Sequence, residues 1–177
     1  MGRRPSDIDD DMVSELRDRL NYDPHTGILT WKKVRKRKLM GSEAGFMMNS
    51  GYMALKIGTR RIQCHRVAYA IVNGAIGDGV EIDHINGVKH DNRILNLRAC
   101  SASQNRMNVA LMKNNTSGVK GVSFCRSSGK YRAEIMVNYK SYYLGEFSSI
   151  DEASKAVSSV RDNIHKEYSN HGEFKKC

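Results

Sequence analysis

Apolar residues in this chain come in short runs, each cut by turn-forming residues, which leaves little room for long helices or a wide sheet. Between Gly45 and Gln63, the runs Phe46-Met47-Met48, Tyr52-Met53-Ala54-Leu55-Lys56-Ile57 and Arg60-Arg61-Ile62-Gln63 are separated by Asn49-Ser50-Gly51 and Gly58-Thr59. Gly and Asn at such junctions favour tight antiparallel connections, so the stretch reads as a small antiparallel sheet. The same punctuation recurs along the chain. The turn Tyr22-Asp23-Pro24-His25-Thr26-Gly27 leads into a strand at 28–31. Strands are also expected at 80–84 and 97–100, and again at 119–125, 130–138 and 141–147.

Helices fit between these strands. Residues 6–20 place Met12, Val13, Leu16 and Leu20 on one face, with Ser6 or Asp7 as a cap. Residues 65–73 form a second helix, stopped by Gly74, with Val67, Ala70 and Ile71 inward. A third starts after Ser101 and runs to about Met112, and a fourth covers about Asp151 to Lys166. In the fourth, Ala153, Ala156, Val157 and Val160 make a core stripe. The expected class is α+β, built from small modules: residues 1–63 as a β-rich module with a helix, 64–112 as a hairpin with a helix, 113–118 as a linker, and 119–177 as a three-stranded sheet with a helix.

Charge narrows the partners. The 177 residues carry 29 Lys and Arg against 19 Asp and Glu, a net +10. Ten of the basic residues fall within 32–66, against a single acidic one. Such a block favours a polyanion, because Lys and Arg beside phosphates release condensed counterions. A solvated basic face is the bland alternative. Lys32, Lys33, Arg35, Lys36, Arg37 and Lys38, with Arg60 and Arg61 further on, are the candidate contacts of this region. Cys64, Cys100, Cys125 and Cys177 form no C-x-x-C pair, so no structural zinc is expected. With no long apolar run and no signal-peptide core, neither a membrane nor export is expected. A soluble, intracellular protein follows as the expectation.

The residues with chemical potential lie in Val80-Glu81-Ile82-Asp83-His84-Ile85-Asn86-Gly87, Asp91-Asn92-Arg93-Ile94-Leu95-Asn96-Leu97-Arg98 and Ser101-Ala102-Ser103-Gln104-Asn105-Arg106. A carboxylate and an imidazole are adjacent at a strand end, where both can line one site. Asn105 sits about one turn inside its helix. Asp and Asn oxygens suit a hard divalent cation that keeps several waters. A neutral His beside it can take the proton of an attacking water. Arg93 and Arg98 are candidates to clamp a phosphate, although Arg98 pairing with a carboxylate is equally open. His65 reads as a packing or DNA-contacting residue, and His90 as a loop residue.

These residues resemble the HNH (ββα-metal) endonucleases, specifically the phage and intron-encoded homing type, closely over about residues 65–108. The resemblance implies that Asp83 and Asn105 bind one Mg2+ or Mn2+ ion and that His84 is the general base. It also implies that Asn96 braces the loop and orients His84. The spacings, thirteen residues from Asp83 to Asn96 and nine more to Asn105, are similar to the family's. Asn105 stands where many members have His.

Further on, Lys120-Gly121-Val122-Ser123-Phe124, Gly129-Lys130-Tyr131-Arg132-Ala133-Glu134-Ile135 and Tyr143-Leu144-Gly145-Glu146-Phe147 resemble an APETALA2/ethylene-response-factor-type DNA-binding domain over about 116–167. That resemblance implies a three-stranded sheet laid in the major groove with a helix behind it. Lys120, Lys130, Arg132 and Tyr143 match its DNA-facing positions; Arg126 and Lys140 are added on charge alone. Tyr131 reads as core. Ser123 and Cys125 stand where that family has arginines, so its base preference does not carry over.

The expected function is a site-specific, metal-dependent DNA endonuclease of the homing type. Its partner is double-stranded DNA, in the host cytoplasm if phage-encoded. One Asp-His…Asn…Asn set and unlike modules at the two ends point to a monomer that nicks one strand. A DNA-binding regulator with an inactive nuclease hairpin is the alternative. A packaging or nonspecific nuclease would keep the chemistry without sequence reading.

Overall fold

The computed structural model describes residues 8–33, 37–108, 111, 114–165 and 168. Its contacts divide the chain into two units, Met1–Cys100 and Ser101–Cys177. The division falls after Cys100 rather than at the sequence-based boundaries after 63 and 112.

The first unit begins with helix α1 (Asp10–Arg19), capped by Asp9, whose side chain accepts from the Met12 N–H at 2.9 Å. The cap is therefore Asp9; Ser6 and Asp7 lie outside the described residues. Asp10 and Asp11 in the first turn and Arg17 and Arg19 in the last suit the helix dipole. Strands β1 (Leu20–Tyr22) and β2 (Leu29–Trp31) form a hairpin immediately after α1. Leu20 thus belongs to a strand, a switch that its apolar spacing did not disclose. Strands β3 (Phe46–Met47), β4 (Met53–Ile57) and β5 (Arg60–Gln63) make the antiparallel meander expected from the turn signals. Helix α2 (Cys64–Asn73) follows directly and ends at Gly74, which has positive φ. Strands β6 (Glu81–His84) and β7 (Leu97–Cys100) then pair, with Asp83 opposite Arg98 and His84 opposite Leu97.

One apolar core unites all of this. Leu16, Leu20, Leu29, Leu55, Ile57, Ile62, Val67, Ala70, Ile82 and Leu97 belong to the same buried cluster. Each large aliphatic side chain fully buried there contributes about 1.5–3 kcal/mol. The N-terminal sheet and the β6–β7 hairpin therefore share one core, which is why no boundary falls at residue 63.

The second unit opens with α3 (Ala102–Met107), where Ser101 and Gln104 form a capping box. The helix stops at Met107, five residues short of the expected end. Residues 114–118 make a turn in which Asn115 Oδ1 accepts from the Gly118 N–H at 2.7 Å. Strands β8 (Val122–Cys125), β9 (Lys130–Val137) and β10 (Lys140–Phe147) form an antiparallel sheet with β9 central. Helix α4 (Ile150–His165) covers one face, burying Ala153 and Val157 against Val122 and Ala133. The whole is α+β with several small antiparallel sheets. Among the described residues no helix is long and apolar enough to cross a membrane.

Candidate active site

Asp83 and His84 end strand β6, and both are buried. His84 Nε2 lies 3.1 Å from Asn92 Oδ1. Because a side-chain amide oxygen only accepts, this contact puts the ring hydrogen on Nε2 and the basic lone pair on Nδ1. Burial pulls the His84 pKa below its ordinary value, opposed by the Asn92 hydrogen bond and by Asp83. The imidazole is thus neutral near pH 7.

Two further rings fix the plane of His84. His65, in the first turn of α2, meets it edge-on with centroids 4.8 Å apart. Tyr52 lies 5.9 Å from His84 and 5.3 Å from His65, and the Lys89 ammonium sits 4.9 Å over the Tyr52 ring. His65 is buried, its Nδ1 meets no hydrogen-bond partner among the described residues, and burial pushes its pKa down to about 3. Burial disfavours a charged imidazole, so His65 stays neutral over the useful pH range.

The loop between β6 and β7 is braced by Asn96, which is buried. Its Oδ1 accepts from the Asn86 N–H at 3.0 Å and its Nδ2 donates to the Asp91 carbonyl at 2.8 Å. The side chain seen against His84 is that of Asn92, whereas Asn96 bonds within the loop. Asn92 is held from outside the loop. The Tyr22 hydroxyl donates to the Asn92 carbonyl at 2.7 Å, and the Ile94 N–H donates to the Pro24 carbonyl at 3.2 Å. Burial raises the Tyr22 hydroxyl to about 12, so it remains a donor. Gly27 has φ +76°, and a Cβ there would stand 2.6 Å from the Asn92 carbonyl carbon and the Arg93 nitrogen. Only glycine permits that approach.

Both arginines expected at a phosphate are ion-paired. Arg98 Nε and Nη2 donate to Asp83 Oδ2 at 3.0 and 2.8 Å. Arg93 Nε and Nη2 donate to Asp91 Oδ1 and Oδ2 at 2.8 and 2.6 Å, and those bonds hold Asp91 down to about 2. Arg98 is half-buried beside the buried Asp83, whereas Arg93 is 45% exposed and can still reach a ligand. Among the described residues no three His, Cys, Asp or Glu side chains converge on a common point. A cation here would rest on the Asp83 carboxylate and amide oxygens, with water completing its shell. That is the hard-oxygen set Mg2+ and Mn2+ accept.

Helix α2, the β6–β7 hairpin and α3 fall within one stretch that resembles a known family. Residues 63–107 match the family model described as HNH endonuclease. By that match the segment is similar to HNH endonuclease domains. Protein 3.8 of Escherichia phage T7 is 32% identical over 78 residues, 44% of this chain. That match spans 64% of the phage protein, just under two thirds of its length. Uncharacterized HNH endonuclease L560 of Acanthamoeba polyphaga mimivirus is 24% identical over 144 residues, covering 80% of this chain and 73% of that protein. No solved structure gives a significant match. Tyr22, Gly27 and Tyr52 lie outside the HNH segment, yet they support its loop and its histidine.

Asn105 of the HNH domain lies in α3, half-buried, with its N–H on the Ser101 carbonyl at 2.9 Å. In the basic block, Arg35 and Lys36 lie outside the described residues. Lys32 and Lys33 are exposed, with Lys33 ion-paired to Asp18. Arg37 and Lys38 are exposed in a short 3-10 turn. Arg60 is half-buried, and Arg61 lies 5.7 Å over the Phe46 ring.

In the second unit, Lys130, Arg132 and Tyr143 share the sheet face away from α4, as the β9–β10 register and alternation require. Arg132 ion-pairs with Glu146 at 3.3 Å and lies 5.9 Å from the Tyr143 ring centre. Arg126 is exposed in the first hairpin. Two of the expected contacts stand apart from that face. Lys140 pairs with Val137, which alternation puts on the opposite face from Arg132. Lys120 is half-buried and donates to the Met107 carbonyl at 3.0 Å, and burial lowers its pKa to about 8. Its charge is turned into the unit, which a residue type alone could not reveal. Tyr131 packs with the small core beneath α4, as expected.

Proposed function

We propose that this chain is a site-specific, divalent-metal-dependent DNA endonuclease of the homing type, acting as a monomer on double-stranded DNA and cutting one strand. The observation that carries the reading is a buried, neutral histidine with its tautomer set by Asn92, beside a buried carboxylate, inside an HNH segment. A base of that kind can accept a proton at neutral pH without first losing one.

Asp83 and Asn105 would hold Mg2+ or Mn2+. When bound, the cation polarises the scissile phosphate and stabilises the leaving oxygen. His84 Nδ1 takes the proton of the attacking water, while Asn92 keeps Nε2 protonated and the ring in place. Asn96 keeps the loop closed. Arg98 fixes the Asp83 carboxylate through one oxygen, and Arg93, half-exposed, contacts a phosphate beside the cut.

Affinity comes from the basic residues of 32–61 and from the C-terminal sheet. Its face bearing Lys130, Arg132 and Tyr143 is an APETALA2-like surface that enters a major groove, with Arg126 at its edge. The host-cell cytoplasm is where such an enzyme meets its substrate. Supercoiled plasmid carrying a target site tests the reading: Mg2+ should give open circles with little early linear product, and EDTA should abolish them. Cleavage unaffected by EDTA, or early linear product at low enzyme, contradicts it.

A further inference from the structure

The loop that follows His84 carries a lysine and an arginine in different settings. Arg93 is matched by the Asp91 carboxylate, as Arg98 on β7 is by Asp83. Lys89 is not matched in that way. Its Nζ donates to the Ser50 carbonyl at 3.0 Å and lies 4.9 Å over the Tyr52 ring. Both partners are neutral, and among the described residues Lys89 makes no ion pair. Its charge is left uncompensated, and a phosphate oxygen offers it a charge-assisted bond about twice as strong as a neutral one.

The lysine is also held in place. Lys89 is exposed, and a lysine loses up to about 2 kcal/mol of rotamer freedom when a ligand fixes it. Here the stem runs along the turn between β3 and β4, because a Cβ added at Gly51 would stand 3.6 Å from Lys89 Cδ. Ser50 and Tyr52, on either side of Gly51, receive the ammonium. Much of the ordering is therefore done before a ligand arrives. Tyr52 also lies 5.9 Å from the His84 ring, so the ammonium and the imidazole rest against the same aromatic side chain. All of these residues belong to one unit, Met1–Cys100.

We propose that Lys89 is a phosphate-binding residue of the nuclease, seating a backbone phosphate of the DNA duplex beside His84. The inference rests on the reading of the chain as a DNA endonuclease given above. Lys89 exchanges the Ser50 carbonyl for a phosphate oxygen, while the Tyr52 ring stays beneath its ammonium. It contacts the DNA backbone and no base edge, so it adds affinity to every sequence alike.

Lys89→Gln and Lys89→Arg in the full chain test this through equilibrium binding to duplex DNA in EDTA, read from about 50 to 200 mM salt. Lys89→Gln should bind about fivefold more weakly than the parent at about 150 mM, and the slope of log affinity against log salt should be shallower by about one. Lys89→Arg keeps the charge and should restore the parental slope. A parental slope in Lys89→Gln overturns the proposal, and so does a slope in Lys89→Arg as shallow as that of Lys89→Gln. The parent tests the underlying reading by itself: a parent without salt-dependent affinity for duplex DNA removes the endonuclease reading, whatever the variants show.

Discussion

His84 Nε2 and Asn92 Oδ1 stand 3.1 Å apart in a buried setting, eight residues apart in sequence. This contact decides which ring nitrogen is basic. Asn92→Ala leaves a buried N–H without its partner, which costs about 1–3 kcal/mol and frees the ring to rotate. Cleavage at saturating DNA should fall by at least about tenfold. Single-turnover rates and urea midpoints measured together check both effects; parental rates would remove Asn92 from the account.

The paired arginines should behave differently. Arg98→Ala removes the ion pair of the buried Asp83 carboxylate and should destabilise the fold by about 3–5 kcal/mol. Arg93→Ala opens a pair whose cation is 45% exposed and should cost about 1 kcal/mol or less. Urea unfolding ranks them. Equal losses would mean that Arg98 is not the structural partner of Asp83.

Gly27 places the N-terminal turn against the nuclease loop. Gly27→Ala must displace Asn92 or Arg93 backbone, so it should cost more than about 2 kcal/mol. Gly58→Ala has a similar positive φ but nothing within 4 Å, and should cost about 1 kcal/mol. Comparable urea midpoints for the two would deny the close approach.

Stability should also depend on His65. Its folded pKa, about 3, lies below the ordinary 6.5, so the unfolded chain binds the extra proton between those values. The contribution is complete above pH 6.5 and is lost as pH falls toward 3, at up to about 1.4 kcal/mol per unit. Between pH 6.5 and 4.5 the carboxylate Asp91, held at about 2, adds little. His65→Gln should flatten the slope of unfolding free energy over that window. His84 adds a loss of the same sign in both proteins. An identical slope would show that His65 does not resist protonation.

Much of this was legible from residue order. Turn signals located the small sheets, Ser101 was recognisable as a cap, and the Asp83-His84…Asn96…Asn105 run pointed to the segment that matches the HNH endonuclease model. What periodicity could not show was which Asn of the loop meets His84, since that depends on a 3-10 turn at Ile94–Asn96 that carries Asn96 away from the ring. Nor could it show that Tyr52 and His65 flank His84, because ring contacts join residues far apart in sequence. Lys120 illustrates the same limit: a lysine at a DNA-facing position of a familiar pattern is turned inward by a carbonyl thirteen residues upstream. The module boundary was hidden because one apolar core joins elements from α1 to β7.

The account stands most directly on the single-turnover cleavage rate of His84→Ala at saturating DNA with Mg2+. A fall of at least about a hundredfold, with DNA affinity unchanged, is the expected result. A rate within a few-fold of the parent would contradict His84 as the general base.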